Sequence, residues 1–167
     1  MRSITLKVND QARRSDVRDN ELLLDLLRDG LAVKSVKAAC WRGECGLCTV
    51  LLNGKLVKSC LVLAVEAEEA EVTTVEGIAP VGELAPIQKA FIEHGASQCG
   101  FCTPAFALTI HELLRRNPSP PQWELEEAVR GLICRCGSYN QMREAVAAAS
   151  GEYATAQKSE DLLKGGR

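Results

Sequence analysis

CWRGECGLC, residues 40–48, places three cysteines within nine residues, and Cys60 follows after eleven intervening residues. This Cys-x4-Cys-x2-Cys spacing with a distant fourth cysteine is that of plant-type [2Fe-2S] ligands. Three thiolates then come from one tight loop, and Gly43 and Gly46 are the small residues that let the N–H groups of such a loop turn inward towards sulfur. The predicted ligands of this [2Fe-2S] site are Cys40, Cys45, Cys48 and Cys60.

Two other kinds of metal site contain cysteines. Tetrahedral zinc is often held by four cysteines, but zinc ribbons and fingers usually join two Cys-x2-Cys knuckles. Here a three-cysteine loop is combined with one distant cysteine. A Rieske centre needs two histidines, and the only histidines, His94 and His111, do not adjoin a cysteine. The spacing therefore favours iron-sulfur, with zinc as the alternative.

A second group of four cysteines follows after a gap of 38 residues. Cys99 and Cys102 stand directly before Thr103-Pro104, which suits the first turn of a helix. Cys134 and Cys136 stand just before Ser138, a residue type that caps helices. Helix N-termini carry free N–H groups and a positive dipole end, which favour a net-negative thiolate cluster. We therefore expect a second complete ligand set on these four cysteines.

Size and charge restrict the class of protein. The chain has 167 residues, of which 46% are hydrophobic, so it has room for one ordinary domain or two small ones. A large enzyme with its own deep substrate pocket is not expected. The formal net charge is −2 and no basic block is present, which argues against nucleic acid or an anionic membrane surface as the main partner.

The eight cysteines are not expected to form disulfides. Lys7 and Asp10 interrupt the N-terminal stretch before any apolar run long enough for a secretory signal. A reducing cytoplasmic location follows, in which disulfides are rare. The longest stretch without a charged residue or histidine, residues 95–110, includes polar residues and falls short of the roughly 18 apolar residues that a membrane span needs. We expect a soluble chain with no transmembrane segment.

The hydrophobic pattern divides the chain into two halves. The first half alternates apolar and polar residues and has hairpin turns at Asn9-Asp10 and Asn53-Gly54. The second half has apolar residues at helical spacing, which predicts four short helices. We therefore predict an α+β fold with three parts: a sheet domain over residues 1–77, a four-helix domain over 78–150, and a mobile tail or partner-binding arm over 151–167.

Three motifs carry a resemblance to a known family. They are Lys37-x2-Cys40-x2-Gly43-x-Cys45-Gly46-x-Cys48-Thr49-Val50, then Gln98-Cys99-Gly100-Phe101-Cys102-Thr103-Pro104, then Cys134-Arg135-Cys136. Together they resemble the small iron-sulfur subunit of the xanthine oxidase family of molybdenum hydroxylases, over about residues 3 to 150. The resemblance implies a β-grasp, plant-type ferredoxin-like domain followed by a four-helix domain, each binding one [2Fe-2S] cluster.

The resemblance also implies the role of the chain and its partners. Such a subunit relays single electrons between a large subunit that carries molybdenum pyranopterin and a medium subunit that carries FAD, or a haem protein in its place. The complex is a heterotrimer or a dimer of heterotrimers, an oxidoreductase whose substrate-converting site is not on this chain. By the same resemblance Gln98 and Cys136 contact the pyranopterin, the second ligand set lies near molybdenum and the first faces flavin.

Some positions depart from the family pattern. Ala39 and Leu47 replace the common Gly and Ala, and Gly137-Ser138 replaces Thr-Gly. All eight ligands are present, so the departures concern the subfamily and the contacts to the pterin. Two other functions remain as alternatives: a zinc-stabilised four-cysteine adaptor, and a free-standing ferredoxin that serves several enzymes.

Overall fold

The structure, a computed structural model, describes residues 1–164, with the side chains of the last helix described as far as Thr155. The first half contains a five-stranded mixed sheet with the strand order β2-β1-β5-β3-β4. β1 runs antiparallel to β2 and parallel to β5, and β3 runs antiparallel to β4 and β5. The strands are β1 (Arg2–Val8), β2 (Gln11–Val17), β3 (Thr49–Leu52), β4 (Lys55–Lys58) and β5 (Glu71–Thr73).

Two tight turns set the register of the hairpins. Both central residues have positive φ in the turn Asn9-Asp10 and again in Asn53-Gly54. This is the turn geometry whose twist matches that of paired strands. As a result Ile4, Leu6 and Val8 all face the core, each at most 4% exposed.

A short helical segment packs against one face of this sheet. α1 (Leu23–Asp25) continues directly into a π-helical turn, Leu26–Gly30. Its leucines are at most 1% exposed and share one core with the inward side chains of β1 and with Val72 of β5. They are Leu23, Leu24, Leu26 and Leu27. The sheet therefore wraps a helical segment, as a β-grasp fold does.

Four helices form the second half around a separate core. Phe91, Phe106, Ile110 and Leu113 are each at most 1% exposed and belong to this core together with Met142. The helices are α2 (Pro86–Glu93), α3 (Thr103–Arg116), α4 (Gln122–Val129) and α5 (Tyr139–Lys164). The predicted fold class, a ferredoxin-like sheet domain followed by a four-helix domain, is confirmed.

The last helix extends further than the sequence pattern predicts. α5 continues through Gly151 to Lys164, so the stretch predicted as a mobile tail or partner-binding arm is helical to that residue, while residues 165–167 lie outside the described part. Alanine has the highest helix propensity, and the buried Tyr153 fixes the extension to the core. No helix in the described residues is long and apolar enough to cross a membrane.

A partly buried histidine–tyrosine pair joins this extension to α3. His111 Nδ1 and the Tyr153 hydroxyl are 2.7 Å apart, and the rings meet edge to face with centroids 5.6 Å apart. Burial, and to a smaller extent the charge of the neighbouring Arg115, lowers the pKa of His111 to about 4. His111 is therefore neutral in the fold at neutral pH.

This shift predicts a loss of stability in mild acid. The folded pKa lies below the usual 6.5, so the contribution of His111 is complete above pH 6.5 and falls as the pH drops towards 4. By pH 5 the loss is about 2 kcal/mol. Chemical denaturation at pH 7.5 and pH 5 measures it, and His111→Gln serves as the control. Equal pH dependence in both proteins would contradict the prediction.

Candidate metal centres

The first four predicted ligands come together where the loop before β3 meets the turn after β4. Cys48 directly precedes β3, and Cys60 lies in the 3-10 turn Ser59–Leu61 that follows β4. The β3–β4 pairing brings these two points side by side, and the Ser59 hydroxyl donates to the Cys48 carbonyl at 2.8 Å. The β3–β4 hairpin therefore places Cys60 beside the loop that carries the other three cysteines. We call Cys40, Cys45, Cys48 and Cys60 the first thiol set.

The thiols of the first set meet as two pairs. Cys40 interacts with Cys45, and Cys60 with Cys48. The pairs lie close enough for charge on Cys40 to act on Cys60. Cys48 and Cys60 are 3% exposed, whereas Cys40 and Cys45 are half-buried. The set thus has an inner pair and an outer pair.

Backbone N–H groups stabilise the thiolate of Cys40 in the outer pair. The N–H of Cys45 lies 3.5 Å from Cys40 Sγ. Together with the N–H of Arg42 it lowers the pKa of the Cys40 thiol to about 6. In the inner pair, burial raises the pKa of Cys60 to about 11. Gly43, at φ +77°, supplies the left-handed backbone that turns the loop inward.

The other four predicted ligands come together at the N-terminal ends of α3 and α5. Cys102 directly precedes α3, and the turn that carries Cys134 and Cys136 ends just before α5. The thiols again pair, Cys99 with Cys136 and Cys102 with Cys134. Cys102 and Cys134 are 7% exposed, whereas Cys99 and Cys136 are exposed. We call these four the second thiol set, which also has an inner and an outer pair.

Two residues at the start of α5 hold Cys134 in place. The Ser138 hydroxyl lies 3.3 Å from Cys134 Sγ, and the Tyr139 hydroxyl accepts the Cys134 N–H at 2.8 Å. Burial raises the pKa of the Cys134 thiol, but hydrogen bonds outweigh it and lower that pKa to about 7; those from the Ser138 hydroxyl and N–H come first, followed by the Cys102 thiol and the Gly137 N–H. Ser138 thus lies at the start of α5, and its hydroxyl also contacts the thiol of the predicted ligand Cys134. The cysteine spacing does not point to Tyr139, whose hydrogen bond to Cys134 is seen only in the folded chain.

The loops of the two sets are in direct contact. The Ile133 N–H donates a hydrogen bond to the Cys45 carbonyl at 3.1 Å. Ile133 directly precedes Cys134, so this hydrogen bond links a ligand of the first set to the neighbour of a ligand of the second set. Gly46 has φ +71°, and a Cβ there would overlap the Gly131 carbonyl oxygen. Leu47 is buried in the core of the helical half. These contacts, which we call the junction, hold the two thiol sets in a fixed relative position.

An exposed face surrounds the outer pair of the second set. Gln98 and Arg135 lie next to the thiols in sequence and are exposed. Phe101 and Ile133, in the same two loops, are 44% and 52% exposed. Amide, guanidinium and apolar groups around two exposed thiols suit a surface that a partner covers.

The donor sets fit a two-iron cluster. Among the described residues, no three His, Cys, Asp or Glu side chains lie close enough together to hold one metal ion. The thiols are arranged two by two in each set instead. A [2Fe-2S] cluster takes four cysteine thiolates, two on each iron. Two adjacent thiol pairs per set match that requirement.

Two protein families match consecutive parts of the chain. Residues 6–76 match a family described as a 2Fe-2S iron-sulfur cluster binding domain, and residues 74–147 match a [2Fe-2S] binding domain. The chain is 44% identical over 144 residues to the nicotinate dehydrogenase small FeS subunit of Eubacterium barkeri, which covers 86% of this chain and 92% of that protein.

Solved structures show the same similarity. Quinoline 2-oxidoreductase from Pseudomonas putida superposes with a TM-score of 0.87 at 35% identity, over 92% of this chain and 96% of that chain. The aldehyde oxidoreductase from Desulfovibrio desulfuricans also gives 0.87, at 43% identity, over 93% of this chain. There the match covers 17% of a longer polypeptide.

Proposed function

We propose, because this chain belongs to the small iron-sulfur subunits of the xanthine oxidase family of molybdenum hydroxylases, that it relays single electrons between a molybdenum-pyranopterin large subunit and a FAD or haem partner. Iron-sulfur binding and electron transfer follow from the family itself. The observation that carries the relay is the junction, which joins the loops of two thiol sets through one hydrogen bond between Ile133 and Cys45.

We propose that each thiol set holds one [2Fe-2S] cluster. When bound, such a cluster takes up and releases one electron at a time. The chain supplies the rest: the N–H of Cys45 and the left-handed Gly43 direct donors towards sulfur, and Ser138 adds a hydroxyl at Cys134. Hydrogen bonds to sulfur and burial are the means by which a protein sets cluster potential.

The outer pair of the second set faces the large subunit in this proposal. Cys99 and Cys136 are exposed, and so is Gln98 beside them, which supports a contact from Gln98 and Cys136 to the pyranopterin. The first set then faces the FAD or haem subunit, since its outer pair opens beside Trp41, which is 52% exposed.

The remaining features of the complex follow from the same proposal. The substrate-converting site lies on the large subunit, and the assembly is a cytoplasmic heterotrimer or a dimer of heterotrimers. The domain limits, residues 1–77 and 78–150, stay a prediction. In their support, the two matched families meet at residues 74–76 and the sheet and the helices have separate cores.

The test is to count clusters in the purified chain. We expect about four irons and four acid-labile sulfides per chain, two for each [2Fe-2S] cluster, and two distinct electron paramagnetic resonance signals after reduction. A colourless protein that holds zinc would support the adaptor instead. Purification of the tagged chain without a molybdenum-containing partner would support a free-standing ferredoxin.

A further inference from the structure

Lys58, the last residue of β4, is hydrogen-bonded to one of the loops that meet at the junction and lies close to the other. Its Nζ donates to the Gly43 carbonyl at 2.6 Å, inside the loop that carries Cys40 and Cys45. The same Nζ lies 3.5 Å from the point that a Cβ on Gly131 would occupy. Gly131 precedes Cys134 by three residues. One ammonium therefore lies between the backbones of the two thiol sets.

The positive charge of Lys58 has no acidic partner within the described residues. The described ion pairs, all those with N–O distances up to 4.0 Å, do not include it. The side chain is half-buried, which reduces solvent screening of its charge. The loop that carries Cys40 and Cys45 accepts its hydrogen bond, so the thiol sets are the sites of negative charge in the segments next to it.

Charge near a redox site changes the equilibrium between its oxidised and reduced states. Adding an electron makes a cluster with its thiolates more negative, so a nearby fixed positive charge stabilises the reduced state. Lys58 is hydrogen-bonded to the loop of the first set and lies two residues before Cys60, but it only approaches the loop of the second set. Its effect is therefore larger on the first set.

We propose that Lys58 is a positioning residue for electron transfer, which holds the first loop through the Gly43 carbonyl and biases the shared electron towards the first thiol set. This rests on the function proposed above. The step moves one electron from one set to the other, so no further oxidant or reductant is needed. Lys58 contacts neither substrate nor ligand thiols in this role.

The test compares charge-removing and charge-keeping variants in the intact complex. Lys58→Met keeps most of the length and removes the charge, Lys58→Gln removes the charge but keeps a donor, and Lys58→Arg keeps the charge. Lys55→Met, on the same strand but exposed, is the matched control. The readout is the midpoint potential of each cluster signal in a redox titration.

We expect Lys58→Met and Lys58→Gln to lower the ratio of the electron's population on the first set to that on the second set by a factor on the order of ten. For one electron, this factor corresponds to a change of about 59 mV in the difference between the two midpoint potentials. Lys58→Arg and Lys55→Met should leave that difference unchanged. Loaded clusters with an unchanged difference in both neutral variants would overturn the proposal, as would an equal shift in Lys58→Arg. If Lys58→Met does not load its first cluster, Lys58→Gln decides by the same criterion.

The same titration separates this inference from the proposed function. A wild-type complex without two [2Fe-2S] signals contradicts the function itself. Two wild-type signals with no response to the neutral variants contradict only the role of Lys58.

Discussion

Cys45→Ser is expected to abolish one of two [2Fe-2S] signals and to lower the iron content of the chain by about half. Cys45 belongs to the outer pair of the first set, where its thiol pairs with that of Cys40. Serine places a hydroxyl there, which is a far weaker iron ligand than thiolate at neutral pH. The measurement is iron analysis together with electron paramagnetic resonance of the reduced protein.

The second signal should survive this substitution. The contact between Cys45 and the second set runs through the Cys45 carbonyl, which accepts the Ile133 N–H and is present whatever the side chain. Cys99→Ser is the reciprocal variant, because Cys99 belongs to the outer pair of the second set. It should remove the other signal. If either variant removed both signals, or neither, the grouping of the eight cysteines would be wrong.

Gly46→Ala is expected to destabilise the chain by about 3 kcal/mol or more, from left-handed strain and from overpacking together. Gly46 has φ +71°, and its Cβ would overlap the Gly131 carbonyl oxygen, a backbone atom that cannot swing aside. Such a loss is a large fraction of the roughly 5–15 kcal/mol that stabilises an ordinary domain. The melting temperature should fall by roughly 10 °C, and the added methyl group should weaken the hydrogen bond between Ile133 and Cys45.

Gly54→Ala is the matched control for this prediction. Gly54 has φ +76°, close to that of Gly46, but a Cβ there would meet no atom within 4 Å. It therefore carries the backbone strain without the overlap and should cost about 1 kcal/mol. Thermal denaturation of the two variants side by side isolates the contribution of the junction. Equal losses in both would mean that the close contact with Gly131 contributes nothing.

Much of the fold is predictable from local signals. The turn residues Asn9-Asp10 and Asn53-Gly54 favour positive φ, and both hairpins form where those residues predict them. The change from alternating to helical spacing separates the sheet from the helices for a similar reason, because each secondary structure has its own period. The extension of α5 escapes prediction, since its anchor is a contact between Tyr153 and His111, 42 residues apart.

Cysteine spacing alone predicts two ligand groups and favours iron-sulfur chemistry, because three cysteines within nine residues can come from one tight loop. Tertiary packing decides the rest. It pairs Cys48 with Cys60 through a hairpin, divides each set into inner and outer thiols, and brings Gly46 against Gly131. Such contacts join residues distant in the chain, and they depend on how two separate cores pack rather than on any local preference of the backbone.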